Sequence, residues 1–165
     1  MGTGESGIYY TSDGSDYVHH GSMIHSAEGE YTHDVQTGRP KRLKNGGHMQ
    51  AAMDLMKQHG IEFNVVRQYW NGVRVGDVPN HKNRMKRTGT MQTWFPRSWT
   101  TRDIVKEGDH VSMMKKNRGT ADGVTMWGTY KNVRVGVIKT NGQVATVFPD
   151  RKQPAPRVRR KRRGH

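Results

Sequence analysis

Cysteine is absent from all 165 positions, which excludes disulfides, a thiolate nucleophile and a cysteine-type zinc site. Redox compartment is thereby left unconstrained. Long apolar runs and basic amphipathic helices are also missing, so no membrane insertion is expected. The opening Met1-Gly2-Thr3-Gly4-Glu5 lacks the basic and apolar blocks of a signal peptide, which fits either an intracellular protein or one part of a larger secreted chain. The carboxylate cluster that hard divalent cations prefer is lacking too. No metal and no cofactor are expected.

What is present is positive charge, 28 basic residues against 14 acidic ones for a net of +14. It is unevenly placed. Residues 1–40 carry one basic and six acidic side chains, net −5; residues 41–150 carry nineteen and eight, net +11; residues 151–165 carry eight and none, net +8. A cationic middle followed by a cationic tail favours a polyanionic partner, because phosphate contacts release counterions and dominate nucleic-acid affinity. Length and 32% hydrophobic content suit one loop-rich domain. The resulting division is a polar N-terminal arm or linker over 1–40, a folded domain over 41–150, and a basic tail over 151–165 that repels itself and is disordered when free. Gly2-Thr3-Gly4-Glu5-Ser6-Gly7 matches a dinucleotide-binding glycine pattern, but no strand can precede it.

Within the middle segment, Met49, Ala52, Met53 and Met56 fall on one helical face, and Gly60 supplies a stop. Phe63 to Trp70 is rich in strand formers and meets Val73-Arg74-Val75-Gly76 across Asn71-Gly72, a hairpin signal. A second helix is predicted after Thr100 as N-cap, with Asp103 in its first turn and Ile104, Gly108 and Val111 inward. Thr125 to Tyr130, Val133 to Ile138 and Val144 to Phe148 alternate as an antiparallel meander, the last two joined across Thr140-Asn141-Gly142-Gln143. The class is α+β, with N-terminal helices packed against antiparallel sheets.

Cleavage of RNA by its own 2′-hydroxyl needs a base, an acid for the leaving 5′-oxygen, and a cation or donors for the charge on phosphate. Two imidazoles and an ammonium suffice. Histidine titrates near neutrality, so one ring can be neutral while another is charged. Of the nine histidines, His19, His20, His25 and His33 lie in the polar arm, where exposed side chains are the ordinary case. His59 sits at a helix C-terminus, where its charged form favours the dipole. His110 falls inside the second helix and His165 ends the chain. His48, in Lys44-Asn45-Gly46-Gly47-His48, and His81, in Val78-Pro79-Asn80-His81-Lys82, occupy loops beside regular elements, where sites are commonly built.

The stretch from about Lys41 to Asp150 resembles the bacterial EndoU family of endoribonucleases, toxin domains at the C-termini of large secreted proteins. The resemblance rests on Gly46-Gly47-His48, Asn80-His81-Lys82, Lys86-Arg87-Thr88-Gly89-Thr90, Thr93-Trp94-Phe95-Pro96-Arg97-Ser98-Trp99-Thr100, and Asn141-Gly142-Gln143-Val144-Ala145-Thr146-Val147-Phe148-Pro149, in that order. It implies a barnase/EndoU-like nuclease domain, with His48 and His81 as the acid and base, Lys86 as the lysine of the site, and Thr146 as the threonine of the last strand. Here Gly-Gly precedes the first histidine rather than the second, so base and acid remain unassigned. Phe148 stands where many relatives have tyrosine.

Around this set, Arg74, Arg84 and Arg134 are candidate contacts to the RNA backbone, and Thr90 and Phe148 complete the expected substrate-binding residues. Phe95, Trp99 and Phe148 also suit a core, since aromatics on amphipathic elements usually bury. The resemblance implies a metal-independent endoribonuclease leaving a 2′,3′-cyclic phosphate. Its partners would be RNA, tRNA among the candidates, and a cognate immunity protein with an acidic surface. Secretion within a larger toxin and action in the target-cell cytoplasm follow from the same resemblance. A non-catalytic basic RNA-binding protein and a metal-dependent DNase using His81 and Asn83 are the competing readings.

Overall fold

The computed structural model describes residues 27–156 in full, together with two backbone strands, β1 (Ile8–Tyr10) and β2 (Asp16–His19). The glycine pattern at residues 2–7 and the basic run at 157–163 lie outside the described residues. β3 (Glu30–His33) and β4 (Pro40–Asn45) form an antiparallel pair. Residues 1–40 are expected from sequence to be an irregular arm, whereas β1, β2 and β3 are strands; for β3 the reason is visible at the turn. Asp34 Oδ1 accepts the amides of Gln36 at 2.8 Å and Thr37 at 2.9 Å, and the Asp34 carbonyl accepts the Gly38 amide at 2.8 Å. Thr37-Gly38, which by sequence suits a turn or a linker equally, therefore closes a hairpin. Tyr31, facing inward from β3, packs against the cluster that contains Leu43.

The first helix, α1 (Gln50–Gln58), buries Ala52, Met53 and Met56, as the spacing predicts. No side chain caps its start. Its end is closed by Gly60 at φ +68°, with the Ile61 amide returning to the Met56 carbonyl at 2.8 Å, a C-terminal device that satisfies otherwise orphaned carbonyls. β5 (Asn64–Gln68), β6 (Arg74–Asp77) and β7 (Gln92–Trp94) form a three-stranded antiparallel sheet. Helix α1 and β4 enclose with it a core of Leu43, Met53, Met56, Ile61, Val78 and Trp94.

The second helix, α2 (Thr101–Met113), starts in a full capping box: Thr100 Oγ1 accepts the Asp103 amide, and Asp103 Oδ2 accepts the Thr100 amide at 2.8 Å. Ile104, Val105, Gly108 and Val111 are buried. They pack on β8 (Met126–Tyr130), β9 (Val133–Thr140) and β10 (Gln143–Pro149). Lys131 and Asn132, and again Asn141 and Gly142, take positive φ, the twist two-residue hairpins require. The sheet runs β1-β2-β10-β9-β8, antiparallel except where β2 meets β10. The α+β class holds, with two corrections. The helices are interleaved, α1 between β4 and β5 and α2 between β7 and β8, rather than leading the domain, and one ladder is parallel.

Two hydrophobic clusters result, one under α1 and one under α2. β7 lies at their seam. The Phe95 amide just after it donates to the His48 carbonyl at 2.6 Å. No helix among the described residues is long and apolar enough to cross a membrane.

Candidate active site

His48 owes its place to the two glycines before it. Gly46 and Gly47 have φ of +65° and +74°, which glycine adopts without steric cost. A Cβ on Gly47 would come within 3.3 Å of Leu43 Cδ1 and 3.4 Å of Ala52 Cβ. Gln92 Nε2 donates to both glycine carbonyls, at 3.3 and 3.4 Å. The turn is therefore pinned from β7. On that turn the His48 ring is 5% exposed, and its Nδ1–H donates to the Thr93 carbonyl at 2.8 Å. This bond sets the tautomer, so the acceptor lone pair of the neutral ring lies on Nε2.

His48 opens onto a cleft of about 640 Å³, which it shares with Lys86, Thr146 and Phe148. One wall comes from the α1 side, through Asn45, Gly46 and Thr93; the other comes from the large sheet, through Trp127, Ile138 and β10. Thr146 and Phe148 alternate onto the same face of β10. The Phe148 ring centre lies 6.0 Å from that of His48, and Trp127 meets it edge-on at 5.8 Å. Lys86 arrives on a single 3₁₀ turn, Arg84–Lys86, capped where Asn83 Oδ1 accepts the Met85 amide at 3.1 Å. Burial pushes the Lys86 ammonium below its ordinary pKa. An imidazole with an acceptor nitrogen, a partly desolvated ammonium, a hydroxyl and an aromatic face thus converge on one space.

His81 does not join them. Its side chain is fully buried and is not among the residues lining the cleft. Its Nδ1 accepts the Asn83 amide at 2.8 Å, which puts the proton of the neutral ring on Nε2, a buried nitrogen without a hydrogen-bond partner among the described residues. Desolvation, reinforced by Lys86, Arg87 and Arg42, lowers its pKa to about 4. By sequence His81 is expected to act beside His48; in the structure its ring is buried and lies outside the residues that line the cleft. Burial and the neighbouring cations favour the neutral form of this ring.

The expected RNA contacts are similarly sorted by geometry. Arg74 is 5% exposed and donates to Gln50 Oε1 and the Phe95 carbonyl, away from the cleft. Arg84 is exposed beside Lys86. Arg134 is committed to Asp150 Oδ2 at 2.8 Å and lies over the Trp127 ring. Thr90 Oγ1 accepts from Arg151 Nη2 at 3.2 Å. Arg151, counted with the basic tail in the sequence reading, lines the cleft, and its carbonyl accepts from Tyr69 Oη at 2.9 Å. Thr93, the orienter of His48, was also missed as a site residue, although it stands in the Thr-Trp-Phe-Pro run quoted for the resemblance. Among the described residues no group of three or more His, Asp or Glu could hold a metal ion.

One solved structure similar to this chain is that of the endoribonuclease Nsp15 encoded by Middle East Respiratory Syndrome Coronavirus, with 12% identity and a TM-score of 0.37 over 68% of this chain. The match covers 30% of that protein, so the chain spans less than a third of its length. No curated protein matches the chain. The family model for the bacterial EndoU nuclease matches residues 22–151. With that match extending over most of its length, the chain belongs to the bacterial EndoU nuclease family.

Proposed function

We propose that this protein is a metal-independent endoribonuclease that cleaves RNA by attack of the 2′-hydroxyl on the adjacent phosphorus, leaving a 2′,3′-cyclic phosphate and a 5′-hydroxyl. The observation that carries this reading is the convergence of His48, Lys86, Thr146 and Phe148 on one cleft. His48 Nε2 takes the 2′-hydroxyl proton, helped by the Thr93 carbonyl, which stabilises the imidazolium through Nδ1. The Lys86 ammonium faces the charge that grows on the non-bridging oxygens, and Thr146 adds a hydroxyl donor. As the P–O5′ bond breaks, the leaving oxygen takes a proton from a general acid, a role for which the other histidines are the candidates tested below. Phe148 stacks on a base and, lacking a hydroxyl, gives no hydrogen bond to select one. Among the described residues the one carboxylate lining the cleft, Asp150, is engaged by Arg134, which supports chemistry by cations and imidazole.

In its biological setting we read the protein as the toxic part of a larger secreted chain, acting in the cytoplasm of a target cell. An immunity protein with an acidic surface would restrain it in the producer. The net charge of +11 over residues 41–150 supports that complementarity.

The test is incubation with total RNA and with duplex DNA in excess EDTA. RNA cutting that persists in chelator, spares DNA and falls by a factor of roughly 10² to 10⁴ in His48→Ala and Lys86→Ala is the expected result. Because the described residues place one imidazole in the cleft, the series replaces each of the other eight histidines singly. His25 comes first, being two positions before Ala27, whose carbonyl accepts the Met49 amide next to His48 at 3.2 Å. Activity abolished by EDTA, or binding of RNA without cleavage, would instead favour the metal-dependent or non-catalytic readings.

A further inference from the structure

A second depression of about 510 Å³ shares no lining residue with the cleft. Its lining includes Trp70, Asn71, Arg74, Arg97 and Ser98 and contains no carboxylate. Arg74 is the notable member. The residue is 5% exposed, yet its hydrogen-bond partners are two neutral oxygens, Gln50 Oε1 and the Phe95 carbonyl, and its Nε has none among the described residues. The carboxylate that acts on it, Asp54, accepts from Gln50 Nε2 at 3.0 Å and not from the guanidinium, and a buried cation with no direct ion pair costs stability unless an anion completes the site. Arg97, exposed at the same rim, adds like charge that, with burial, depresses the Arg74 pKa. Asp54 offsets this charge only in part, since burial and Arg97 still leave the Arg74 pKa lowered, so the pocket presents two guanidinium groups to whatever enters it.

Its other wall is aromatic. Trp70 is 50% exposed while its indole N–H is anchored to the Pro154 carbonyl at 2.8 Å. The ring is therefore held in place with much of its surface open. The turn carrying it is tightly built: Gly72 sits at φ +93°, and a Cβ there would come within 2.9 Å of Pro96 Cβ. Asn71 Nδ2 donates to the Asn132 carbonyl and to Gln153 Oε1, each at 2.9 Å.

We propose that this pocket is a second RNA subsite, in which Arg74 and Arg97 hold a phosphodiester and Trp70 stacks on a base flanking the one cut. The proposal rests on the endoribonuclease reading above. Two connections tie the pocket to the cleft. Phe95 links them directly, its amide on the His48 carbonyl and its own carbonyl on Arg74. Along the rim, Arg151 lines the cleft and Pro154, three residues on, holds Trp70, a span of at most about 11 Å. A single strand leaving the cleft along this rim meets Trp70 next.

The test uses Trp70→Ala and Arg97→Gln, exposed positions whose variants should melt like the wild type. Binding of a 2′-O-methyl RNA, which cannot be cut through its own 2′-oxygen, is read by fluorescence anisotropy. Trp70→Ala should weaken it roughly tenfold, the scale of one lost base stack, and Arg97→Gln should reduce the salt slope by about one phosphate contact. With cleavable substrates, kcat/KM should fall roughly tenfold further on a longer single strand than on a dinucleotide. Unchanged binding, or equal losses on long and short substrates, overturns the subsite. Wild-type cutting with no such dependence leaves the nuclease reading standing without the pocket; Trp70-dependent binding without any cutting leaves the pocket and removes the nuclease reading.

Discussion

His48 and His81 are two loop histidines of one chain whose surroundings give them opposite chemistry. His48 has a tautomer set by Thr93 and a cleft in front of it; His81 is enclosed and held neutral, with its pKa lowered to about 4. Their roles separate on a stability profile. A histidine whose folded pKa lies below its unfolded value of about 6.5 supports the fold above that value, and the contribution is lost as pH falls towards 4. Wild-type stability should therefore drop by roughly 3 kcal/mol between pH 7 and pH 4 through this group alone. In His81→Gln, denaturant unfolding at both pH values should show a shallower drop; an undiminished one would remove His81 as its source. Its Nδ1 bond to the Asn83 amide braces the turn that presents Lys86. His81→Gln should accordingly lower kcat/KM while leaving the pH dependence of cleavage in place, whereas a group transferring protons in the cleft would shift that dependence.

At the level of elements, local signals were read well where one residue type had one use. The methionine face of α1, the Thr100 cap and the Asn141-Gly142 turn each name a backbone geometry that recurs in the structure, and Asn71-Gly72 marks the β5–β6 hairpin, though within a longer loop. Thr100→Ala should cost about 1 kcal/mol in chemical denaturation, since both halves of the capping box are formed; a change near zero would mean the helix start is held by tertiary packing. Less legible were residues whose meaning depends on long-range partners. Thr37-Gly38 signals a turn equally in a linker and in the β3–β4 hairpin, and nothing local to His81 distinguishes an enclosed ring from one in a cleft. Glu107 is another such case. It looks like a solvent-facing helix charge, but it is fully buried, and its carboxyl oxygens find no partner among the described residues. Burial, with Asp103 nearby, raises its pKa well above the ordinary value. A raised carboxyl pKa removes stability as pH climbs past the unfolded value, so Glu107→Gln should match wild type near pH 4 and be more stable at pH 7, by about 1 kcal/mol or more. Equal stability at pH 7 would show that the carboxylate is compensated.

At the scale of the whole molecule, the charge that suggested a polyanionic partner is spread over a fold that meets itself at a seam. Two small cores, one under each helix, bring the Gly46-Gly47-His48 turn and the 3₁₀ turn of Lys86 opposite β10. The cleft is a product of tertiary packing, which is why the sequence could name His48, Lys86, Thr146 and Phe148 as a set only through the resemblance and could not show that His81 stands apart. Binding to RNA should weaken with salt at about −0.7 log units per log unit for each phosphate contact; a flat response would argue that charge plays no part in recognition. The most direct measurement of the central claim is the chemistry of the cut ends. An RNA oligonucleotide incubated with the protein in EDTA should yield fragments ending in a 2′,3′-cyclic phosphate by mass spectrometry, none when the sugar at the cut carries a 2′-deoxy substitution, and almost none with His48→Ala. Fragments with 3′-hydroxyl ends, or cutting that survives the 2′-deoxy substitution, would contradict it.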